Sequence, residues 1–187
     1  MPYRKVTGML AVLLLALGAA TGVSAAAKKP PKHATIRAVQ KLKMKPNRYI
    51  LDGLRWNRDV YRVRSGGTLT VVNDAPSEGP HTFSVVKKRD LPKTVKEVFN
   101  CKVCNTLAAA HGADPNSEAP PKFQYLENGV GQNTPPDVDR PGDSGVTGPG
   151  QKGERITLKV TAKPGKTLHF MCIIHPWMQA KVIVGKK

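Results

Sequence analysis

Residues 168–178 read LHFMCIIHPWM, a short apolar run that leads into a tight turn. Successive side chains of a β-strand point to opposite faces, so Phe170 and Cys172 share one face. Phe170 marks that face as the one that packs on the core. His169 and Met171 fall on the opposite face and are excluded as partners of the thiol. We therefore expect Cys172 to point inward at the end of its strand.

Two further metal-binding side chains follow Cys172 at fixed spacing, as Cys172-x-x-His175-x-x-Met178. A seven-residue loop can fold the imidazole of His175 and the thioether of Met178 back towards the thiolate. Taken singly, the cysteine is more often an inert buried thiol and the methionine a core residue. The joint spacing in one short loop favours a metal site.

A fourth candidate lies in an earlier stretch, residues 79–86, which reads GPHTFSVV. Period-two alternation places His81, Phe83 and Val85 on one face, again the core face. Adding His81 to the loop gives two nitrogens, one thiolate and one thioether. This soft donor set suits copper in both oxidation states, whereas zinc rarely accepts a thioether. The sequence predicts one redox-active copper ion and transfer of single electrons.

The strands around these ligands are short and separated by turn signals. Candidate strands cover residues 61–64, 68–73, 81–86, 155–162, 167–172 and 181–184. Glycine and proline clusters such as Ser65-Gly66-Gly67 separate them, a pattern typical of an antiparallel β-sandwich.

The site and its strands resemble the type 1 (blue) copper proteins, the cupredoxins, and most of all their amicyanin-like and plastocyanin-like members. The match covers roughly residues 49–86 and 155–184. The resemblance implies an all-β, Greek-key antiparallel sandwich of eight strands around one copper ion. It also implies that His81, Cys172 and His175 are equatorial ligands and Met178 the weak axial ligand. Electrons would then leave through the edge of His175.

Two features depart from that family. Thr82 follows the first histidine, where small cupredoxins commonly have an asparagine that braces the ligand loop. Residues 87–153 form an insertion longer than small members need. Within the insertion, apolar residues at spacings of three and four predict a helix over 94–110. Residues 129–153 are rich in glycine and proline, which predicts a long surface loop. Asp137, Asp139 and Asp143 in that loop are expected to be solvated.

The insertion also carries Cys101-x-x-Cys104. A redox-active dithiol is one interpretation of this spacing, and a local disulfide or second metal clip is the other. An oxidising compartment favours a local disulfide or metal clip over the redox dithiol, and either would leave Cys172 free to bind copper.

The N-terminus predicts export. Arg4 and Lys5 precede a short apolar run and a small-residue site near Ala25, the pattern of a cleaved secretory signal peptide, residues 1–25. Residues 26–48 then form a basic segment that we expect to be extended and mobile at its start. The domain itself is expected to span residues 49–187. The protein would be periplasmic or secreted.

The net charge of +17 indicates anionic partners. Export and the lack of interleaved aromatic residues argue against nucleic acid. We expect redox-protein partners, acidic ones among them, electrostatic attraction to an anionic cell envelope, and a monomer.

The function predicted is an electron carrier and not an enzyme. A copper-trafficking or copper-sequestering protein is the alternative, with a thiol-disulfide oxidoreductase acting through Cys101 and Cys104 less favoured.

Overall fold

The computed structural model describes residues 29–75, 79–114, 116–117 and 119–187. The predicted signal peptide, residues 1–25, lies outside the described residues. The strands are β1 His33–Val39, β2 Leu42–Lys45, β3 Tyr49–Asp52, β4 Arg55–Trp56, β5 Val60–Arg64, β6 Thr68–Asn73, β7 Thr82–Val86, β8 Tyr125–Glu127, β9 Val130–Gln132, β10 Asp137–Val138, β11 Ser144–Val146, β12 Arg155–Val160, β13 Thr167–Met171 and β14 Gln179–Gly185. The helices are a 3₁₀ helix Lys88–Asp90, α1 Val95–Phe99 and α2 Lys102–Ala110.

The strands form two main sheets and one separate hairpin. The five-stranded sheet has the order β10-β12-β6-β1-β4, and the seven-stranded sheet has the order β5-β14-β13-β7-β11-β8-β9. Strands β2 and β3 pair only with each other among the described strands. The all-β sandwich predicted from the sequence is confirmed. The pairs β1–β6, β10–β12 and β5–β14 are parallel, however, because the chain crosses between sheets before it returns beside them.

One apolar core fills the space between the sheets. Strand β12 alternates exposed and buried residues along its whole length, as expected for a strand with one face on a core. The largest fully buried side chains include Phe83 of β7 and Phe170 of β13, whose ring centroids are 4.5 Å apart. Burial of such aromatic pairs contributes both apolar area and favourable ring contacts. These two central strands are therefore fixed against each other near the ends that carry His81 and Cys172.

The structured part of the chain begins earlier than the sequence predicted. Strand β1 lies within the supposedly separate basic segment 26–48, and it pairs with β6 over six residues in the five-stranded sheet. Ile36 and Ala38 of β1 are fully buried in the core. The boundary at residue 49 was wrong because basic residues dominate this segment and obscure the two inward positions. A charged side chain such as Arg37 points outward and forms an ion pair of 2.7 Å with Asp74.

The insertion covers the outer face of the seven-stranded sheet. All five residues of β7 are buried, because the sandwich core covers one face and the insertion covers the other. Val86, Leu107, Leu126 and Met171 belong to a second apolar cluster on that outer side. The insertion is therefore part of the packed domain. No helix within the described residues is long and apolar enough to cross a membrane.

The helix predicted over residues 94–110 is two helices. Helix α1 ends at Phe99, which is 83% exposed, and α2 begins after Cys101. Cys101 has an extended backbone and accepts a hydrogen bond from the Cys104 N–H, so it caps α2. Of the interpretations left open for Cys101 and Cys104, the structure shows the local disulfide, and both residues are buried. The cross-link at the first turn of α2 fixes the start of that helix against the second cluster.

Residues 129–153 contain regular structure, contrary to the surface loop expected from their composition. Strand β11 pairs with both β7 and β8 and is buried throughout. Its central residue, Gly145, permits close packing, since an added Cβ would lie 2.6 Å from a side-chain carbon of Ile156. Glycine in this segment thus marks a close approach of strands as well as turns.

Replacing both Cys101 and Cys104 by serine should lower the free energy of unfolding by about 2 kcal/mol, from the loop-entropy relation for so short a closed loop. Urea unfolding of the oxidised protein measures this loss. Wild-type protein unfolded in the presence of a reductant should match the double variant. An unchanged unfolding midpoint in the variant would contradict the structural role of the disulfide.

Candidate metal centre

The pairing of β7 with β13 brings two of the candidate ligands to the same end of the sheet. The strands are antiparallel, with Phe170 opposite Val85 and Met171 opposite Ser84. His81 immediately precedes β7, and Cys172 immediately follows β13. The start of one antiparallel strand lies beside the end of the other. Two side chains 91 positions apart in sequence therefore meet.

Three donor atoms converge at this end of the sandwich. The Cys172 Sγ lies 3.7 Å from Nδ1 of His175 and 4.0 Å from Nδ1 of His81. One ligand atom from each of the three residues lies within 4.8 Å of the others, and all three residues are buried. Metal–nitrogen and metal–sulfur bonds of about 2.0 and 2.3 Å in a trigonal plane would separate nitrogen from sulfur by about 3.8 Å. The spacing of the three donors fits one metal ion between them.

Backbone hydrogen bonds hold the ligand loop, residues 172–178, in a compact turn. The Cys172 N–H donates to the Met178 carbonyl at 3.0 Å, and the Met178 N–H donates to the His175 carbonyl at 2.8 Å. The Met178 side chain is buried in the same apolar cluster as Cys172. All four predicted residues thus lie in one region. The assignment of Met178 as axial ligand stays a prediction.

Trp56 of β4 braces the loop from the opposite sheet. Its indole Nε1–H donates to the Met178 carbonyl at 3.0 Å, and its ring meets the His81 ring edge-on, with centroids 6.2 Å apart. Sequence reasoning missed this residue. A buried indole in a two-residue strand has no periodic pattern around it, and only the rarity of tryptophan in this chain could have drawn attention to it.

The hydrogen-bond partners of the ligands set their orientation. Nε2 of His81 lies 3.4 Å from the Ala75 carbonyl, an acceptor, so this nitrogen carries the hydrogen and Nδ1 faces the sulfur. The Thr82 backbone N–H donates to the Cys172 Sγ at 3.3 Å. A donor to the sulfur stabilises its deprotonated form, which is the form that binds a metal.

Thr82 braces the ligand loop, although the small cupredoxins that the sequence resembles commonly have an asparagine at this position. Its hydroxyl oxygen accepts a hydrogen bond of 2.9 Å from the Ile173 N–H, the first backbone donor after Cys172. It also accepts one of 3.0 Å from the Ser84 hydroxyl. The short hydroxyl therefore serves the loop directly.

A buried polar chain continues from Thr82 into the insertion. The Ser84 and Ser144 hydroxyl oxygens are 2.7 Å apart, and Nε2 of His111 lies 2.9 Å from Ser144 Oγ. Nδ1 of His111 lies 2.8 Å from the Phe123 carbonyl and so donates to it. This chain runs along the face of β7 that the insertion covers. It links the end of α2 to the ligand loop through hydrogen bonds in a region with little water to compete.

Burial disfavours the charged forms of Cys172 and His175 in the metal-free protein. It raises the pKa of the Cys172 thiol, while hydrogen bonds from Thr82, His175 and Ile174 oppose that rise. Burial likewise lowers the pKa of His175, and the negative charge of Asp52 opposes the decrease. A thiol that must lose its proton and an imidazole at His175 whose charged form is disfavoured make a site in which a cation takes the place of that proton.

The chemistry of the donors selects among metals. Two imidazoles and one thiolate would hold zinc or copper, but a thioether behind the thiolate suits copper and is rare for zinc. The donor set fits a single type 1 copper ion. Within the residues that the structure describes, no second group of three or more metal-binding histidine, cysteine or acidic side chains is found.

Asp143 differs from the prediction for the acidic loop. Its carboxylate is buried and accepts hydrogen bonds from the backbone N–H groups of Asn128, Asp139 and Arg140 at 2.9–3.0 Å. The side chain organises the turn before β11 and is not solvated. The wrong expectation arose because the spacing of acidic residues does not reveal which one has backbone donors around it.

No protein-family model matches the chain, and no curated protein matches it. The solved structures that resemble this chain include a purple cupredoxin from Nitrosopumilus maritimus. It is 15% identical, the match covers 81% of this chain and 98% of that chain, and the TM-score is 0.38. Auracyanin A, a blue copper protein from Chloroflexus aurantiacus, is 17% identical; the match covers 82% of this chain and 98% of that chain, with a TM-score of 0.39. A blue copper oxidase from Nitrosomonas europaea is 15% identical; the match covers 83% of this chain and 39% of that chain, with a TM-score of 0.36. Likenesses this distant assign no function, which has to follow from the site itself.

Thr82→Val removes the hydroxyl with little change of shape and leaves the Ile173 N–H without its acceptor. We expect it to lower the free energy of unfolding by about 1–3 kcal/mol, the cost of an unsatisfied buried donor. Thr82→Ser keeps the hydroxyl and is the matched control. Chemical unfolding and hydrogen exchange of the Ile173 amide measure the effect. Equal exchange rates in the two variants would show that the hydroxyl does not brace the loop.

Acid should destabilise the metal-free protein partly through His111. Burial lowers the pKa of His111 below its ordinary value of about 6.5. Below that pH the unfolded chain binds a proton that the folded chain resists, so stability falls as the pH falls, by at most about 1.4 kcal/mol per pH unit for this group. Urea unfolding at pH 7.5 and at pH 5.5 measures this effect. Between the two, the free energy of unfolding should fall less for His111→Gln than for His33→Gln, the control at an exposed strand end. Equal losses would contradict the prediction.

Proposed function

We propose that the protein is a cupredoxin, an exported mononuclear blue-copper protein that carries single electrons between redox partners. The observation that carries the proposal is the convergence of one ligand atom each from His81, Cys172 and His175 within 4.8 Å, in a buried site whose apolar cluster includes Met178. Bound copper would supply the one-electron chemistry. The chain itself supplies the donors, their orientation and the exclusion of water.

The rigidity of the ligands favours electron transfer. Each described ligand residue is held by at least one hydrogen bond or ring contact outside the donor set, from Ala75, Thr82, Trp56 or Trp177. A site whose donors cannot rearrange changes the oxidation state of its metal with little movement. The same bracing disfavours the alternative of a copper-trafficking protein, because release to a recipient requires exposed or mobile ligands.

His175 provides the path for the electron. It is the most exposed of the three ligand residues, and it lies between Ile174 and Trp177, which are 45% and 48% exposed. The Trp177 ring meets the His175 ring edge-on, with centroids 5.3 Å apart. A partner that contacts this apolar rim would come within a few atoms of the metal. The imidazole of His81, by contrast, is fully buried.

The proposal includes no catalytic turnover. The disulfide Cys101–Cys104 is closed and buried, which does not favour thiol-disulfide exchange. A single three-donor cluster in the described residues offers no second copper centre for an oxidase. Export rests on the predicted signal peptide, with cleavage near Ala25.

Titration of the metal-free protein with Cu(II) should give one equivalent of bound copper and an intense blue or green colour, because a thiolate binds Cu(II) directly. Cys172→Ser should abolish the colour. Met178→Leu should retain colour and change the reduction potential, measured by voltammetry. Met171→Leu is the matched control, since Met171 is equally buried but belongs to the second cluster, and it should change neither.

Three results would overturn the proposal. Cu(II) binding without colour would exclude the thiolate ligand. A potential that responds equally to Met178→Leu and Met171→Leu would exclude the axial role of Met178. Rapid loss of copper to a chelator, with slow electron exchange, would favour the trafficking protein instead.

A further inference from the structure

A separate hairpin of basic and apolar residues stands beside the proposed electron exit. Strands β2 and β3 form it, with Pro46, Asn47 and Arg48 at the turn. Every residue of β2 and β3 is exposed except Asp52, which is half-buried at the base. Neither strand pairs with the two main sheets. The hairpin is thus a two-stranded arm whose outer edges and both faces are available.

The exposed apolar area on this arm is unusually large. Five big apolar side chains are between 54% and 71% exposed: Leu42, Met44, Tyr49, Ile50 and Leu51. In an antiparallel pair, residues directly opposite each other lie on the same face. Met44 is opposite Ile50, so these two form an apolar face with Leu42 next to them. A contiguous exposed apolar face of this kind indicates an interaction surface.

The same arm is strongly cationic. Residues 41–52 contain Lys41, Lys43, Lys45 and Arg48 against one acidic residue, Asp52. The Asp52 carboxylate accepts hydrogen bonds from the Gln40 side chain at 3.1 Å and the Leu54 N–H at 2.9 Å. These bonds hold it at the base of the arm, away from the turn. Lys43 and Lys45 alternate with Leu42 and Met44 along β2, so they lie on the other face of the arm, beside Leu51 and Tyr49. The arm therefore carries basic and apolar side chains together, which is complementary to a partner surface that is both apolar and acidic.

A series of three contacts runs from the base of the arm to the metal centre. The Gly53 N–H donates to the Lys41 carbonyl at 3.2 Å and closes the base of the arm. Leu54, the next residue, accepts a hydrogen bond of 3.1 Å from the Trp177 indole, and Trp177 packs edge-on against His175. A molecule seated on the arm and on Trp177 would lie against the edge of His175.

We propose that residues 41–52 are a docking arm for an acidic redox protein, which they hold over the His175 edge; this rests on the proposed electron-carrier function. The distribution of side chains favours a protein over a lipid surface. The turn of the arm is polar, with Asn47 and Arg48, and the apolar side chains are spread along the length of its two strands. An arm that inserts into a membrane needs its apolar residues at the tip. A lipid also cannot accept the electron that leaves through His175.

The test uses the copper-loaded full chain and the soluble haem domain of cytochrome b5, an acidic one-electron protein, as the probe. Stopped-flow mixing gives the bimolecular rate constant at several salt concentrations. The charge variant is Lys43→Glu with Lys45→Glu. Its matched control is Lys163→Glu with Lys166→Glu, in the turn before β13 and so at the other end of that strand from Cys172.

The arm variant should lose at least about tenfold in rate constant at low salt and most of its salt dependence, because electrostatic steering changes association rates by about 10–10³-fold. The control should stay within about twofold. Met44→Ser with Ile50→Ser should lower the rate severalfold with the salt dependence unchanged, and Val130→Ser, at another exposed apolar site, should not. Equal rates for arm and control variants would overturn the docking arm.

Two further measurements distinguish loss of docking from damage to the copper site and from binding to a membrane. Absorption and voltammetry of each variant should match those of the wild type, since the arm supplies no ligand. A wild type without a reversible copper couple would refute the electron carrier, whereas a normal couple with unaffected rates would refute the arm alone. Sedimentation with phosphatidylglycerol vesicles gives the membrane outcome. Binding that only the arm variants lose, with unchanged electron-transfer rates, would replace the protein partner by a lipid surface.

Discussion

The antiparallel pairing of β7 with β13 is the constraint on which the metal centre depends. It places the residue before one strand beside the residue after the other, and so joins His81 to Cys172. Side chains of a strand alternate between faces, so a slip of one residue would turn the Cys172 thiol away from the core. The packing of Phe83 against Phe170 opposes that slip, because both rings are fully buried between the sheets. The strand register that packs the core therefore also sets the geometry of the site.

The insertion extends this constraint to the other face of the sheet. It buries Ser84 and Ser144, whose hydroxyl groups connect Thr82 to His111. Such a polar chain is tolerated in an interior because each member has a partner, and broken chains are costly. The ligand loop is thus braced from the sandwich side by Trp56 and from the insertion side by Thr82. A long insertion gives the site a second supporting layer.

The metal centre and the surface beside it differ in exposure and in charge. The three ligand residues are buried, while the neighbouring arm of residues 41–52 is exposed and basic. Contacts through Leu54 and Trp177 connect the two regions. Under the proposed function, the buried residues would hold the metal and the exposed arm would attract the partner. A charged partner bound to the arm would keep its charges out of the low-dielectric interior, where they would perturb the metal.

The sequence alone determined the strands that alternate apolar and polar residues, and it determined the ligand loop, since Cys172, His175 and Met178 lie within one turn and local spacing suffices. It also predicted that His81 belongs with them, from the core face of its strand. It did not reveal that residues 33–39 enter the sheet, that residues 144–146 form a buried strand, or that Trp56, Thr82 and Asp143 hold the loops. These depend on which backbone donors and acceptors meet after distant strands pair. Local patterns fix what a side chain can do, and only the tertiary structure decides what it contacts.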